Sequence, residues 1–218
     1  MKSVIIYSGG LDSTVLLYKL ARENSLVEAI SINYGQRHSK ELEFAKKNCQ
    51  KLGVNFKLVD LSNLNPIFGD SALTNKSVDV PNGEYANGNI ALTVVPNRNM
   101  IMLSIAAARA MALGCDSIAY AAHSGDHALY PDCTTEFADA MAEAIRRADT
   151  RKIELLRPFI NIDKSQIVKL GIELGVDFSD TWSCYKGGSL HCGKCSTCLE
   201  RRQAFSDAGV KDPTIYEK

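Results

Sequence analysis

The chain carries no excess of charge of either sign: 25 lysines and arginines stand against 25 aspartates and glutamates over 218 residues. No general field therefore gathers nucleic acid or an anionic membrane, and neither is expected as a direct partner. No apolar run reaches the length of a membrane span. Nothing near the start resembles a leader, because Lys2 is followed at once by a short apolar run. Internal repeats and low-complexity tracts are absent too, and a cytoplasmic protein is expected. Cysteine is not paired off either: seven residues do not suit a disulfide framework. With 45% hydrophobic and 23% charged residues, the composition is that of a globular chain long enough to bury a full core.

Two familiar nucleotide signatures are also missing. There is no glycine loop ending in Gly-Lys-Ser/Thr, which would place a lysine on outer phosphates, and no Gly-x-Gly-x-x-Gly. In their place stands Ser8-Gly9-Gly10-Leu11-Asp12-Ser13-Thr14. The apolar run Val4 to Tyr7 before it reads as a buried strand. Val15 to Ala21 after it reads as a helix, with Asp12 or Ser13 as its cap. A strand, a glycine turn and a helix N-terminus make an anion site, since the glycines admit close approach and the unpaired amides point at the ligand. Ser8, Ser13 and Thr14 add hydroxyl donors.

Further strands are expected at Val27 to Asn33, Asn55 to Val59, Asp116 to Ala122 and Glu154 to Leu156. Helices are expected from Ser39 or Lys40 to Leu52, from Arg98 to Leu113, from Thr134 or Thr135 to Ala148, from Lys164 to Leu174 behind an Asp163 cap, and from Ser196 to Asp207. This alternation predicts an α/β fold with a doubly wound, mainly parallel, Rossmann-like sheet that binds ligands beyond the carboxyl ends of its strands. Leu61 to Asn97 shows no periodicity and reads as a lid, a binding loop or an interface. Arg98 to Leu113 is apolar on every side, which predicts burial on every side, against the sheet and a second surface such as another subunit.

Cys184-x7-Cys192-x2-Cys195-x2-Cys198 offers four thiolates in a loop made pliable by Gly187, Gly188 and Gly193. Such a set closes a tetrahedron around Zn²⁺, one per chain, with no open position for chemistry. An iron–sulfur cluster and a redox Cys-x-x-Cys pair are the alternatives. His191 is expected to be solvated or to lie behind the ligands, Trp182 to pack beside the loop, and Cys133 to be a buried thiol. The chain thus divides into an α/β unit, 1–180, and a zinc-binding segment, 181–218, packed on it.

The Ser8 to Ser13 loop resembles the pyrophosphate loop of the N-type ATP pyrophosphatases, which activate an oxygen by transferring AMP to it. Together with Tyr34-Gly35-Gln36-Arg37-His38, Pro96-Asn97-Arg98-Asn99, Asp126, Tyr130-Pro131-Asp132-Cys133 and the four cysteines, it makes nearly the whole chain similar to the 7-cyano-7-deazaguanine synthase family. That resemblance implies an adenine-nucleotide alpha-hydrolase-like fold, a homodimer and one structural zinc per subunit. It also implies a reaction of 7-carboxy-7-deazaguanine, ammonia and Mg-ATP that yields the nitrile preQ0 for queuosine in tRNA. Ser8, Gly9, Gly10, Leu11, Asp12, Ser13 and Thr14 would hold ATP, with Asp12 either on Mg²⁺ or capping the helix. His123, Asp126 and His127 are candidate bases; Asp126, Asp132 or Glu136 would accept the donors of the deazaguanine edge. Tyr34, Tyr130 or Phe159 would stack on the ring, and Arg37, Arg98 and Lys164 would meet the anionic groups. An arginine that often follows Pro-Asp-Cys in this family is Thr134 here. No glutamine-hydrolysing unit is evident, which makes free ammonia the expected nitrogen donor.

Overall fold

The computed structural model describes residues 1–85, 87–126 and 130–218, with residues 87–89 and Asp126 described by backbone alone. Five strands form one parallel sheet: Ser3–Ile6 (β1), Leu26–Asn33 (β2), Asn55–Asp60 (β3), Ser117–Ala119 (β4) and Glu154–Leu156 (β5). Their order is β3-β2-β1-β4-β5. The helices are Leu11–Arg22 (α1), Glu41–Leu52 (α2), Asn87–Thr93 (α3), Arg98–Ala112 (α4), Thr135–Arg147 (α5), Lys164–Glu173 (α6) and Ser196–Ala208 (α7).

Side chains alternate across a strand, so the central strands serve both faces of the sheet. Ile5, Ala29 and Ala119 pack on α1, α2, α6 and α7, while Val4, Ile30 and Ile118 pack on α4 and α5. Strands covered on both faces read as unbroken apolar runs, as the sequence shows. Because the strand order reverses between β1 and β4, their following loops diverge and open a crevice at the carboxyl edge.

The structure corrects or refines three expectations. First, α1 begins at Leu11 with Gly10 as its N-cap, and no side chain caps it. Second, α4 is buried along one stripe, Leu103, Ala106, Ala107 and Ala110, while Met100, Ser104 and Ala108 are exposed. Within the single chain only the sheet-facing side is covered, and the outer side is the one expected to meet a second surface. Ile90–Ala112 is long and apolar enough to cross a membrane, with a mean hydropathy of 1.3 in its most apolar window; its inner stripe packs on the sheet. Third, the described part of the 61–97 stretch packs on the rest of the chain and brings Tyr85 to the cavity described below. Phe68, Leu73 and Val95 cluster with Tyr34, and Ala72 and Val80 cluster with Trp182 and the four cysteines.

Thr134 caps α5 by accepting a hydrogen bond from Phe137 N at 3.2 Å. Asp163 caps α6 through a reciprocal box with Gln166.

Candidate active site and metal centre

The loop after β1 is shaped by what presses on it. Gly9 has φ +88°, and a Cβ there would lie 2.2 Å from the Glu41 carbonyl oxygen and 2.9 Å from the Ala45 nitrogen. Only glycine lets the loop run this close to the first turns of α2. Trp182 N donates to Gly9 O at 3.0 Å, which ties the C-terminal segment to the same turn. Thr14 Oγ1 donates to Gly10 O at 2.7 Å, and the Ser8 and Ser13 hydroxyls share a hydrogen bond of 2.9 Å. The amides of Leu11, Asp12 and Ser13 have no acceptor among the described residues. Uncapped and at the positive end of α1, they are available to an anion.

This loop forms one wall of a cavity of about 260 Å³. Asp12 Oδ2 lies 3.5 Å from Lys164 Nζ and 4.0 Å from His123 Nε2, while its Oδ1 is buried without a hydrogen-bond partner among the described residues. Lys164, the first residue of α6, also donates to Glu200 Oε2 of α7 at 2.5 Å. His123, on the loop after β4, accepts a hydrogen bond from Gly125 N on Nδ1 at 3.1 Å. That bond assigns the proton of the neutral ring to Nε2, facing Asp12. This part of the cavity holds donors around two acidic groups, Asp12 and Glu200.

The cavity is also aromatic. Tyr34, Tyr85, Tyr120, Tyr130, Tyr185 and Trp182 line it. Arg98, first residue of α4, donates to Tyr34 Oη at 3.5 Å and lies 5.9 Å from that ring's centre. Asn97 holds φ +58° just ahead of it, a conformation asparagine tolerates, and so turns Arg98 into the cavity. His38 packs on Tyr185 with ring centres 5.4 Å apart, and burial pushes its imidazole down to about 3.

Of the residues singled out in the sequence, the cavity collects Ser8, Gly10, Leu11, Asp12, Ser13, Tyr34, Arg98, His123, Tyr130 and Lys164. Gly9 and Thr14 shape the loop from behind. Arg37 is elsewhere, donating to the carbonyls of Asn75 and Val78 at 2.9 and 2.7 Å and bracing residues 61–97. Asp132 accepts from Asn99 N at 3.3 Å at the start of α4, and Glu136 is exposed on α5. Phe159 is buried in the core. The Asp126 side chain and His127 lie outside the described residues. Sequence reasoning passed over Glu41, Tyr85, Tyr120, Tyr185, Glu200 and Arg201, all of which line the cavity. A charged residue on the otherwise inward face of α2 was the one signal for Glu41, and adjacency to Cys184 the one for Tyr185. Arg201 is 1% exposed. It donates to Thr181 Oγ1 at 2.7 Å, Phe178 O at 2.9 Å and Asp212 Oδ1 at 3.2 Å.

The four cysteines converge behind Trp182. Cys184, Cys192, Cys195 and Cys198 are all buried, and their sulfurs lie within 4.8 Å of one another. Thiolates at ~2.3 Å from a tetrahedral zinc stand ~3.8 Å apart, so the cluster fits a closed metal site. Backbone amides point at the sulfurs: Cys192 N to Cys184 Sγ and Cys195 N to Cys192 Sγ, both at 3.3 Å. Hydrogen bonds from Cys184 and Cys198 push the Cys195 thiol far below its usual range, favouring a thiolate there. Of the two places expected for His191, the structure shows the one behind the ligands. It is buried against Trp182, accepts from Ser183 N at 3.0 Å, and is pushed down to about 4 by burial, so it stays neutral beside the cluster.

Comparison with known proteins bears directly on this arrangement. The family model described as "Queuosine biosynthesis protein QueC" matches residues 2–209. A 7-cyano-7-deazaguanine synthase of Caldicellulosiruptor bescii is 51% identical over 217 residues, spanning 100% of this chain and 98% of that one. The enzyme of the same name from Methanoregula boonei is 49% identical over 217 residues and covers 100% of both chains. Among solved structures, NMN synthetase from Francisella tularensis superposes with a TM-score of 0.56 at 16% identity, over 96% of this chain and 78% of that one. NH3-dependent NAD synthetase from Campylobacter jejuni gives 0.53 at 15%, over 95% and 75%. These two likenesses show a shared fold. With the family match spanning nearly its whole length, the chain belongs to the QueC family, the 7-cyano-7-deazaguanine synthases of queuosine biosynthesis.

Proposed function

We propose that this chain converts 7-carboxy-7-deazaguanine and ammonia to 7-cyano-7-deazaguanine at the expense of ATP, with the cavity between β1 and β4 as the site of both activations. The observation that carries the assignment to this cavity is the uncapped start of α1. Its three free amides and two hydroxyls face the same space as Asp12, Lys164 and His123.

A carboxylate is a poor electrophile. Transfer of AMP to one of its oxygens creates a leaving group, and the departing pyrophosphate gathers charge that the amides of Leu11, Asp12 and Ser13 are oriented to stabilise. Lys164 Nζ and His123 Nε2 add donors at the same end. Asp12 Oδ1, buried and unpartnered among the described residues, fits one carboxylate ligand of Mg²⁺, an ion that takes a few carboxylates and otherwise phosphates and water. When bound, Mg²⁺ would neutralise phosphate charge there. Ammonia then displaces AMP to give an amide. A second transfer of AMP, to the amide oxygen, sets up elimination to the nitrile. The amide protons must leave, and His123 with its proton on Nε2 suits donation better than acceptance. Asp126 and His127 remain the candidate bases from that loop.

The four thiolates are read as a zinc site that fixes the 181–218 segment against the 1–180 unit and supplies no chemistry. Metal, if bound, would add a cross-link between the start of α7 and the loop carrying Trp182 and Tyr185. The half-apolar outer face of α4 supports a homodimer, the balanced charge supports the absence of direct nucleic-acid binding, and a cytoplasmic location is proposed. Purified protein given 7-carboxy-7-deazaguanine, ammonium and Mg-ATP should accumulate the nitrile with AMP and pyrophosphate. Turnover of no such substrate while ATP still binds would contradict the proposal. Elemental analysis should find zinc, and iron in its place would overturn the metal assignment.

A further inference from the structure

The cavity holds a carboxyl group that none of the motifs marked. Glu41 stands in the first turn of α2, its side chain 10% exposed, and lines the cavity with Tyr34, Arg98 and Tyr185. Its Oε1 accepts from Gln36 Nε2 at 3.2 Å and lies 3.5 Å from His38 Nε2. Gln36 is itself locked, donating to Ile32 O at 3.1 Å and accepting from Tyr34 N at 2.9 Å. Oε1 is thereby held toward the turn, and Oε2 has no hydrogen-bond partner among the described residues.

The other carboxylates of the cavity are occupied. Asp12 faces Lys164 and His123, and Glu200 accepts from Lys164. Glu41 has no lysine or arginine within ion-pair distance among the described residues, and its histidine neighbour is neutral. Burial pushes the Glu41 carboxyl up to about 8. A buried acid with an unused oxygen, walled by aromatic rings, is suited to a flat ligand that brings its own donors.

The 7-deazaguanine ring brings two, the ring N–H and the exocyclic amine, side by side on one edge. Of the acceptors expected from the sequence, Asp132 and Glu136 do not line the cavity, and the Asp126 side chain lies outside the described residues. We propose that Glu41 is the specificity-determining residue for the deazapurine: its carboxylate accepts both donors of that edge, with Gln36 and His38 as positioning residues. This rests on the functional reading above. On binding, the Glu41 proton leaves to solvent and the neutral ring keeps both of its own hydrogens.

The test compares wild type, E41Q and E41D on 7-carboxy-7-deazaguanine and on its analogue without the exocyclic amine. A glutamine offers one acceptor and presents an NH₂ to the second donor, so it cannot satisfy the pair. Wild type should prefer the amino compound by about 10- to 100-fold in kcat/KM. In E41Q the KM for the base should rise about tenfold or more while the KM for ATP holds, and the preference for the amino compound should collapse. E41D, which withdraws the charge by one methylene, should keep part of the preference and keeps the test readable if E41Q fails to fold. Retention of the full preference in E41Q, or an equal rise in the KM for ATP, would overturn the assignment. A wild type that turns over neither compound would instead bring down the functional reading.

Discussion

Gly9→Ala is the sharpest perturbation of the phosphate loop, because two separate penalties are readable at that residue. At φ +88° a residue with a side chain sits in a region that costs ~1–3 kcal/mol. The added Cβ would also meet the Glu41 carbonyl oxygen at 2.2 Å, whereas ordinary contact begins at 3.4 Å. The obstacle is helix backbone, so α2 has to retreat by about 1 Å or the loop has to lift, which adds ~1–3 kcal/mol as overpacking does. A loss of ~2–6 kcal/mol corresponds to a fall of roughly 4–24 °C in Tm for a chain of this size. A lifted loop also turns its amides away from the phosphates, so the KM for ATP should rise about tenfold or more. Gly10→Ala is the control. Gly10 has φ −74°, and its Cβ would meet only Ser8 Oγ at 3.2 Å and Trp182 O at 3.6 Å. It should cost under ~1 kcal/mol and leave ATP binding near wild type. Thermal unfolding and ATP titration of both variants decide the matter. Equal stability and equal KM for ATP in the two would refute the account of the loop.

Other perturbations follow from the same structure. Lys164→Ala removes the partner shared by Asp12 and Glu200; kcat/KM should fall by ~10²-fold or more while metal content is unchanged. Arg201→Met strips hydrogen bonds from Thr181, Phe178 and Asp212 in a buried site, which should lower stability by ~3–5 kcal/mol in thermal or urea unfolding. Cys198→Ser should abolish stoichiometric zinc and expose the amides of α7 and residues 182–195 to hydrogen exchange. Glu41 also predicts a pH dependence. Its folded carboxyl titrates at about 8 against 4.5 unfolded, so the folded state holds a proton that the unfolded chain releases between those values. The stability contributed is therefore full below pH 4.5 and lost as pH rises toward 8, and the Tm of wild type minus that of E41Q should shrink over that window.

Much of this architecture is written locally. The apolar runs at Val4 and Ile30, the glycine turn at residues 9 and 10, and the Asp163 cap each act through near neighbours, and each lies where the sequence places it. The cysteine spacing likewise suffices to bring the four sulfurs together. What was not legible depends on contacts distant in sequence. Gly10 rather than Asp12 begins α1, because Asp12 turns toward Lys164 and His123, over 100 residues away. Arg201 is buried because the 178–183 segment wraps it, which no local pattern of charge reports. Residues 61–97 have no periodicity because single residues, Phe68, Leu73 and Val95, plug gaps around Tyr34 instead of forming a helical or strand face. Glu41 sits within a helix whose pattern marks only the alternation of Ala45 and Cys49 against solvent.

The central claim is that both oxygens of the substrate carboxylate leave on AMP. Turnover of 7-carboxy-7-deazaguanine labelled with ¹⁸O in its carboxylate, read by mass spectrometry of every product, tests it directly. The account predicts two AMP per nitrile, each carrying one ¹⁸O, with unlabelled pyrophosphate. Label in inorganic phosphate alongside ADP, or in water, would contradict it.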